Sequence, residues 1–250
     1  MPKIFDVFDY LDSRFPFCTQ LGFDNAGFLV GDRGEELKKG VVALDITDAA
    51  IDFAKEAGAN LIVSHHPVIF EPLRSVTKND IVYKLIKNGI SAICAHTNLD
   101  MCGGGVNDCL CRAIGLENAV GVLPEGDVDS ARLGELTAPL SADDFAEMLK
   151  SKLHCAVKYT DSKKPIKKVG VCSGSGGSML FDIAKLSADA FVTADVKHNI
   201  FLDAKHLGIS IFDCGHFETE NVVVAPLCEQ LNDNFGNAFI PFLKSEIKHI

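Results

Sequence analysis

Short apolar runs recur along this chain, helical segments separate them, and most of them end in histidine or aspartate. Val41-Val42-Ala43-Leu44 stops at Asp45, and Asn60-Leu61-Ile62-Val63 enters Ser64-His65-His66-Pro67. Ile90-Ser91-Ala92-Ile93-Cys94-Ala95 runs into His96-Thr97-Asn98-Leu99-Asp100. The pattern returns further on. Val169-Gly170-Val171-Cys172 meets the loop Ser173-Gly174-Ser175-Gly176-Gly177-Ser178. Ala190-Phe191-Val192-Thr193 leads to Ala194-Asp195-Val196-Lys197-His198, and Ile209-Ser210-Ile211-Phe212 leads to Asp213-Cys214-Gly215-His216-Phe217-Glu218-Thr219-Glu220. Runs this brief and this apolar are buried strands, and strands alternating with helices make parallel crossover units.

Helical periodicity covers residues 3–15, where Ile4, Phe5, Phe8, Leu11 and Phe15 share a face. It also covers 48–57 with Gly58 as C-cap, 79–88 closed by Asn88-Gly89, about 106–114 after Gly103-Gly104-Gly105, and 141–152 behind Ser141 as N-cap. The expected class is α/β, with two similar halves whose largely parallel or mixed sheets are flanked by helices. Turn-forming Gly121, Pro124 and Gly126 among acidic residues put the expected boundary at 125/126. This gives a first half of residues 1–125 and a second of 126–250, whose last segment can return to the first half. Pro226, soon after Glu220, predicts a helix that starts late or kinks.

Composition narrows the function classes. Hydrophobic residues at 47% suffice for a normal core, and no apolar run approaches the roughly 20 residues a membrane helix needs. A formal charge of −10 without a long basic stretch argues against nucleic acid and anionic membranes. A small anionic ligand stays open, because a bound dication reverses the local sign. The opening Met1-Pro2-Lys3-Ile4-Phe5-Asp6 is not expected to act as a secretory signal. Nine scattered cysteines, with Cys109 and Cys111 as a lone C-x-C, suit reduced thiols and a cytoplasmic setting.

Open α/β sheets place ligands beyond the carboxyl ends of their strands. Four such ends here carry imidazoles or carboxylates: His65-His66, His96 with Asp100, Asp195 with His198, and His216 with Glu220. That donor set suits zinc, manganese, iron, cobalt or nickel. His65 and His66 can share one centre if the chain turns at Pro67, or serve two neighbouring ions if they diverge. His216 and Glu220, four residues apart, share a face on a helix, where Glu220 could bridge two cations. A single histidine at a strand end is as well explained by loop hydrogen bonding, and His154, His206 and His249 are read that way.

At these positions the sequence resembles the dinuclear-metal proteins known as GTP cyclohydrolase I type 2 homologues, the NIF-three-like family. The matching segments are Asp24-Asn25-Ala26-Gly27, Ser64-His65-His66-Pro67, His96-Thr97-Asn98-Leu99-Asp100, Gly104-Gly105-Val106-Asn107-Asp108, and Gly215-His216 followed by Thr219-Glu220. The resemblance implies five metal ligands, His65, His66, Asp100, His216 and Glu220, with Glu220 shared by two divalent ions per chain. It further implies a NIF-three-like fold, a toroidal homohexamer and a nucleotide substrate. Phe23 stands where the family often has Trp, and there is no room for the middle domain of longer members.

His96 is the candidate for proton transfer, with orientation of a ligand as its alternative role. Asp195, Lys197 and His198 read equally as substrate contacts or a plain loop. The Ser173–Ser178 loop lacks the lysine and spacing of a phosphate loop and is read as a tight turn. The leading function is a dinuclear metal-dependent hydrolase acting on a nucleotide. A metal-dependent phosphoesterase and a non-catalytic metal-binding regulatory or chaperone-like oligomer are the alternatives.

Overall fold

A computed structural model describes residues 1–248, and the chain forms two compact α/β units. One joins Met1–Cys102 with Val224–Lys244, and the other is built on Gly103–Val223. His249 lies outside the described residues.

The first unit carries a five-stranded sheet in the order Gly27–Val30, Ser91–Cys94, Leu61–Ser64, Gly40–Ala43, Phe239–Phe242. The last four strands are parallel, and Gly27–Val30 lies antiparallel at one edge. Val41, Ile62 and Ala92 pack on one face with Ala50, Ile51 and Ala54 of helix Asp48–Ala57 and with Val82 and Leu85 of helix Ile81–Lys87. Each fully buried Val, Leu or Ile contributes about 1.5–3 kcal/mol. Thr47 caps Asp48–Ala57 by accepting from the Ala50 amide, a contact of about 1 kcal/mol, and Gly58 ends it at φ 70°.

Register decides where the histidines go. Ala43 pairs with Ser64, and Ser64 with Cys94, so the three strands end level. The ladder continues one step further, with the His65 amide donating to Ala43 O and the Ala95 amide donating to Ser64 O. Asp45, His65-His66 and His96 therefore leave the sheet along one edge.

In the second unit the six-stranded sheet has the order Glu117–Glu125, Val128–Leu140, Ile166–Val171, Ala190–Thr193, Ser210–Asp213, Lys158–Tyr159. Ile166–Val171, Ala190–Thr193 and Ser210–Asp213 are parallel, and the other pairings are antiparallel. Alternation along the strands sends Val169, Val192 and Phe212 toward helices Val106–Ile114 and Ala142–Leu153, and Phe191 and Ile211 toward Leu180–Lys185 and His198–Leu207. Ser141 accepts from the Asp144 amide and caps its helix. The turn-rich stretch around 120–135 is a long hairpin, Glu117–Glu125 with Val128–Leu140, turning at Gly126 with φ 62°.

The chain leaves this unit through a short helix, His216–Glu220, and a 3₁₀ turn, Asn221–Val223. Helix Val224–Phe235 follows, so Pro226 falls in its first turn, where no backbone donor is lost. Among the described residues no helix is long and apolar enough to cross a membrane.

Candidate metal centre

On the first unit, three imidazoles converge. Ring centroids lie 5.0 Å apart for His65 and His66, 5.3 Å for His65 and His96, and 5.6 Å for His66 and His96. One ring nitrogen from each falls within 4.8 Å of the others, a spacing that could hold a metal ion. His65 and His66 thus turn toward one region although they are neighbours in sequence. Asp100, on helix Thr97–Met101, comes within 3.4 Å of His65 Nε2 through Oδ1.

What orients these rings is an oxygen behind each one. His65 Nδ1 lies 2.9 Å from Ala95 O, an atom that can only accept, so Nδ1 carries the hydrogen. His66 Nδ1 is 2.7 Å from Asp45 Oδ1, and His96 Nδ1 is 2.7 Å from Asp24 Oδ1. In the neutral imidazole each such contact fixes the tautomer with its lone pair on Nε2, the arrangement of a metal-ligating histidine.

Asp24 is the most constrained of these carboxylates. Burial acts to raise its pKa, but hydrogen bonds from His96 and Thr97 and the attraction of His96 outweigh it and hold the group at about 2. The Thr97 hydroxyl and amide both donate to Oδ2, at 2.6 and 3.0 Å. Behind the cluster, Cys94 Sγ donates to His65 O, and burial pushes this thiol well above its ordinary range, which keeps it protonated.

On the second unit, His216 and Glu220 sit one helical turn apart with His216 Nε2 3.0 Å from Glu220 Oε2. His216 Nδ1 is 2.7 Å from Asp195 Oδ2, again an oxygen behind the ring. Glu220 is 4% exposed, so its carboxylate is held by protein rather than water. The Ser-Gly loop makes room for it. Gly174 adopts φ 57°, and a Cβ there would overlap Glu220 Oε1. Three further contacts fix that glycine: its amide donates to Thr219 Oγ1, and its carbonyl accepts from the Thr193 hydroxyl and the Ala194 amide. The loop is therefore a tight turn whose bare backbone admits a buried carboxylate.

Several residues behave differently from their local sequence context. Asp195 faces His216 rather than His198, which is exposed on the first turn of helix His198–Leu207. Lys197 is the exposed N-cap of that helix. His154 closes helix Ala142–Leu153 at φ 54°, and His206 lies in the last turn of His198–Leu207. Sequence reasoning gave no role to Asp24 or Asp45. The available sign was an aspartate at a strand end or in the Asp24-Asn25 motif, each far from its imidazole along the chain.

The donor chemistry fits a divalent metal. Neutral imidazoles with fixed tautomers and a buried carboxylate are what borderline cations take, and thiolates are absent from both groups.

The chain is similar to known proteins over nearly its whole length. The Duf34/NIF3 (NGG1p interacting factor 3) family matches residues 2–249. A Clostridium perfringens protein named GTP cyclohydrolase 1 type 2 homolog is 34% identical over 94% of this chain and 93% of its own. A Streptomyces coelicolor protein of the same name is 32% identical over 92% of this chain and 84% of its own. Among solved structures, Staphylococcus aureus hypothetical protein SA1388 superposes with a TM-score of 0.93 at 28% identity, covering 99% of both chains. Reduced HcgD from Methanocaldococcus jannaschii gives 0.83 at 29% identity, covering 96% of this chain and 97% of that one.

Proposed function

Because this chain belongs to the Duf34/NIF3 family, we propose that it is a dinuclear metal-dependent hydrolase acting on a nucleotide. The proposed ligands are His65, His66 and Asp100 from the first unit with His216 and Glu220 from the second, Glu220 serving both ions. The observation that carries the reading is the oxygen behind every candidate imidazole: Ala95 O, Asp45, Asp24 and Asp195 hold Nδ1 of His65, His66, His96 and His216. Four rings oriented alike are a metal-site device and have little use in a plain loop.

Divalent ions held there would supply Lewis acidity and lower the pKa of water toward neutrality. The chain's own residues supply the rest. Asp24 holds His96 with Nε2 as its working nitrogen, so His96 accepts a proton from the attacking water and returns it to the leaving group. Asp45 and Asp195 keep His66 and His216 from rotating away. Gly174 keeps the Glu220 carboxylate at one depth. The name shared by the relatives points to GTP, a purine nucleotide, as substrate, and the reaction proposed for this chain is hydrolytic opening of the base at C8 followed by hydrolytic release of formate. The proposed assembly is a homohexamer in the cytoplasm.

The test is a nucleotide panel assayed with protein reloaded in turn with zinc, manganese, iron, cobalt and nickel. Formate release from GTP supports the cyclohydrolase reading. Phosphate without formate moves the chain to phosphoester chemistry. Full metal loading with neither product makes it a non-catalytic metal-binding oligomer, and light scattering at the mass of one 27.0 kDa chain removes the hexamer.

A further inference from the structure

Two phenylalanines stand in water beside the histidine cluster of the first unit. Phe23 is 65% exposed and Phe70 is 45% exposed. Their ring centroids are 6.3 Å apart with the planes inclined at 54°, so they form an open notch rather than a closed stack. Exposing two aromatic rings together forgoes the burial that usually places such side chains in a core.

The notch is built, not frayed. Asp24, next to Phe23, is fixed by His96 and by both Thr97 donors. Asn25 donates to Ile69 O at 2.6 Å and so ties the segment bearing Phe23 to the one bearing Phe70. Both loops that carry the rings are therefore pinned at the residue beside them.

What the notch adjoins identifies its occupant. The Phe70 ring meets His96 edge to face, at 6.3 Å and 87°, and His96 in turn contacts His65 and His66. A hydrophobic protein partner gains nothing from a face that ends in three imidazoles with metal-competent nitrogens. A flat heterocycle gains at both ends: its π face lies on one phenyl ring, its edge meets the other, and its polar atoms reach the imidazole side.

We infer that Phe23 and Phe70 form a stacking subsite for the planar heteroaromatic ring of a small ligand, a purine base being the fitting size and polarity. This assignment rests on the nucleotide reading above and adds the residues that hold the base. It also gives the histidine cluster a selectivity that metal ligation alone lacks, since ions bind phosphate whatever base it carries. Phe23 and Phe70 are positioning residues for substrate, set apart from the ligands.

Saturation-transfer NMR on the full chain tests it, with guanosine as base-bearing probe and inorganic triphosphate and ribose as base-free probes. Metal-stripped protein is used first, so that stacking is read without ligation. Transfer should be strongest at the guanine H8, absent from ribose, and undiminished by triphosphate. Phe23→Ala and Phe70→Ala should each weaken guanosine binding about tenfold, as loss of one base–aromatic stack does. Phe70→Tyr, which keeps the ring, should retain it, and that rescue separates stacking from misfolding. Equal guanosine binding by the Phe23→Ala/Phe70→Ala chain overturns the inference. So does the absence of any transfer to the base, the result expected if a second chain covers the rings. Failure of the metal-hydrolase reading shows separately, as protein that will not load metal or releases no product while guanosine still reports both phenylalanines.

Discussion

The two units hold their candidate ligands by different means. In the first, the imidazoles grow from the ends of parallel strands in register, and the ladder itself continues to His65. In the second, His216 and Glu220 share one turn of a five-residue helix, and the carboxylate depends on a loop from elsewhere in the chain. One group is positioned largely by a sheet, and Asp100, on the short helix that follows, is the one carboxylate among its candidate ligands. The other carries a buried negative charge and is positioned by a glycine. The first should therefore tolerate loop changes and keep its geometry, whereas the second should be sensitive both to charge and to one added Cβ.

The sharpest way to break that contrast is to remove the charge. On the proposed bridging role, Glu220→Gln takes away the one anion shared by two dications, and their repulsion is poorly screened where effective dielectric is low. Metal content should fall from two ions per chain to below one. His65→Ala or Asp100→Ala should lower it only to about one, because most remaining ligands serve the other ion. Binding isotherms for the three variants decide. Two full sites in Glu220→Gln would reduce Glu220 to an acidic residue placed in a buried turn for structural reasons.

A smaller effect tests the glycine. Gly174→Ala should weaken metal binding by about 10- to 100-fold, the range seen when the support behind a ligand is lost, since the new Cβ pushes on Glu220 Oε1. Gly58→Ala is the matched control from the other unit. Gly58 has φ 70° and nothing within 4 Å of its missing Cβ, against φ 57° at Gly174. Both substitutions incur roughly 1–2 kcal/mol of left-handed backbone strain. Thermal unfolding should drop in both, and metal affinity in Gly174→Ala alone. An equal loss of affinity in Gly58→Ala would mean that general destabilisation, not the carboxylate's seat, controls binding.

How far the sequence exposes this arrangement follows from the same contrast. The strands bearing His65-His66 and His96 were legible because burial on both faces makes them unbroken apolar runs between helical segments. His216 and Glu220 were legible as a pair because one helical turn is a local rule. Glu117–Glu125 was not legible as a strand, since most of its residues are exposed and it shows no apolar run. The partners behind the rings were hidden for another reason. Asp24 reaches His96 across 72 positions and Asp45 reaches His66 across 21, and only the folded sheet brings them together. Asp195 was matched to the nearby His198, but the parallel pairing of Ala190–Thr193 with Ser210–Asp213 carries it to His216 instead. Gly174 gave no sign at all beyond its flexibility, because its purpose is set by a carboxylate 46 residues later.

The mildest test asks whether the two units orient their outer rings equally well. Asp45 and Asp195 do the same work, each accepting from a ring Nδ1 at 2.7 Å, and their side chains are similarly exposed, 48% and 57%. Asp45→Asn and Asp195→Asn keep an oxygen that can accept the Nδ1 hydrogen and lose only the charge. Solvent screens much of that charge at such exposure. Metal affinity should therefore fall by about threefold to tenfold, at or below the lower edge of what losing an orienting partner costs. Asp45→Ala and Asp195→Ala remove the acceptor as well, freeing the ring to turn and to change tautomer, and should cost more than the amides do. His65 offers the internal standard, since its acceptor is the Ala95 carbonyl and no side-chain change removes it. Isothermal titration of zinc into the four variants gives the comparison directly. Matched losses from Asp45 and Asp195 would say that both outer imidazoles ligate and are held alike. A large loss from Asp195→Ala beside none from Asp45→Ala would leave His66 outside the ligand set and put the weight of the site on the helix-borne pair.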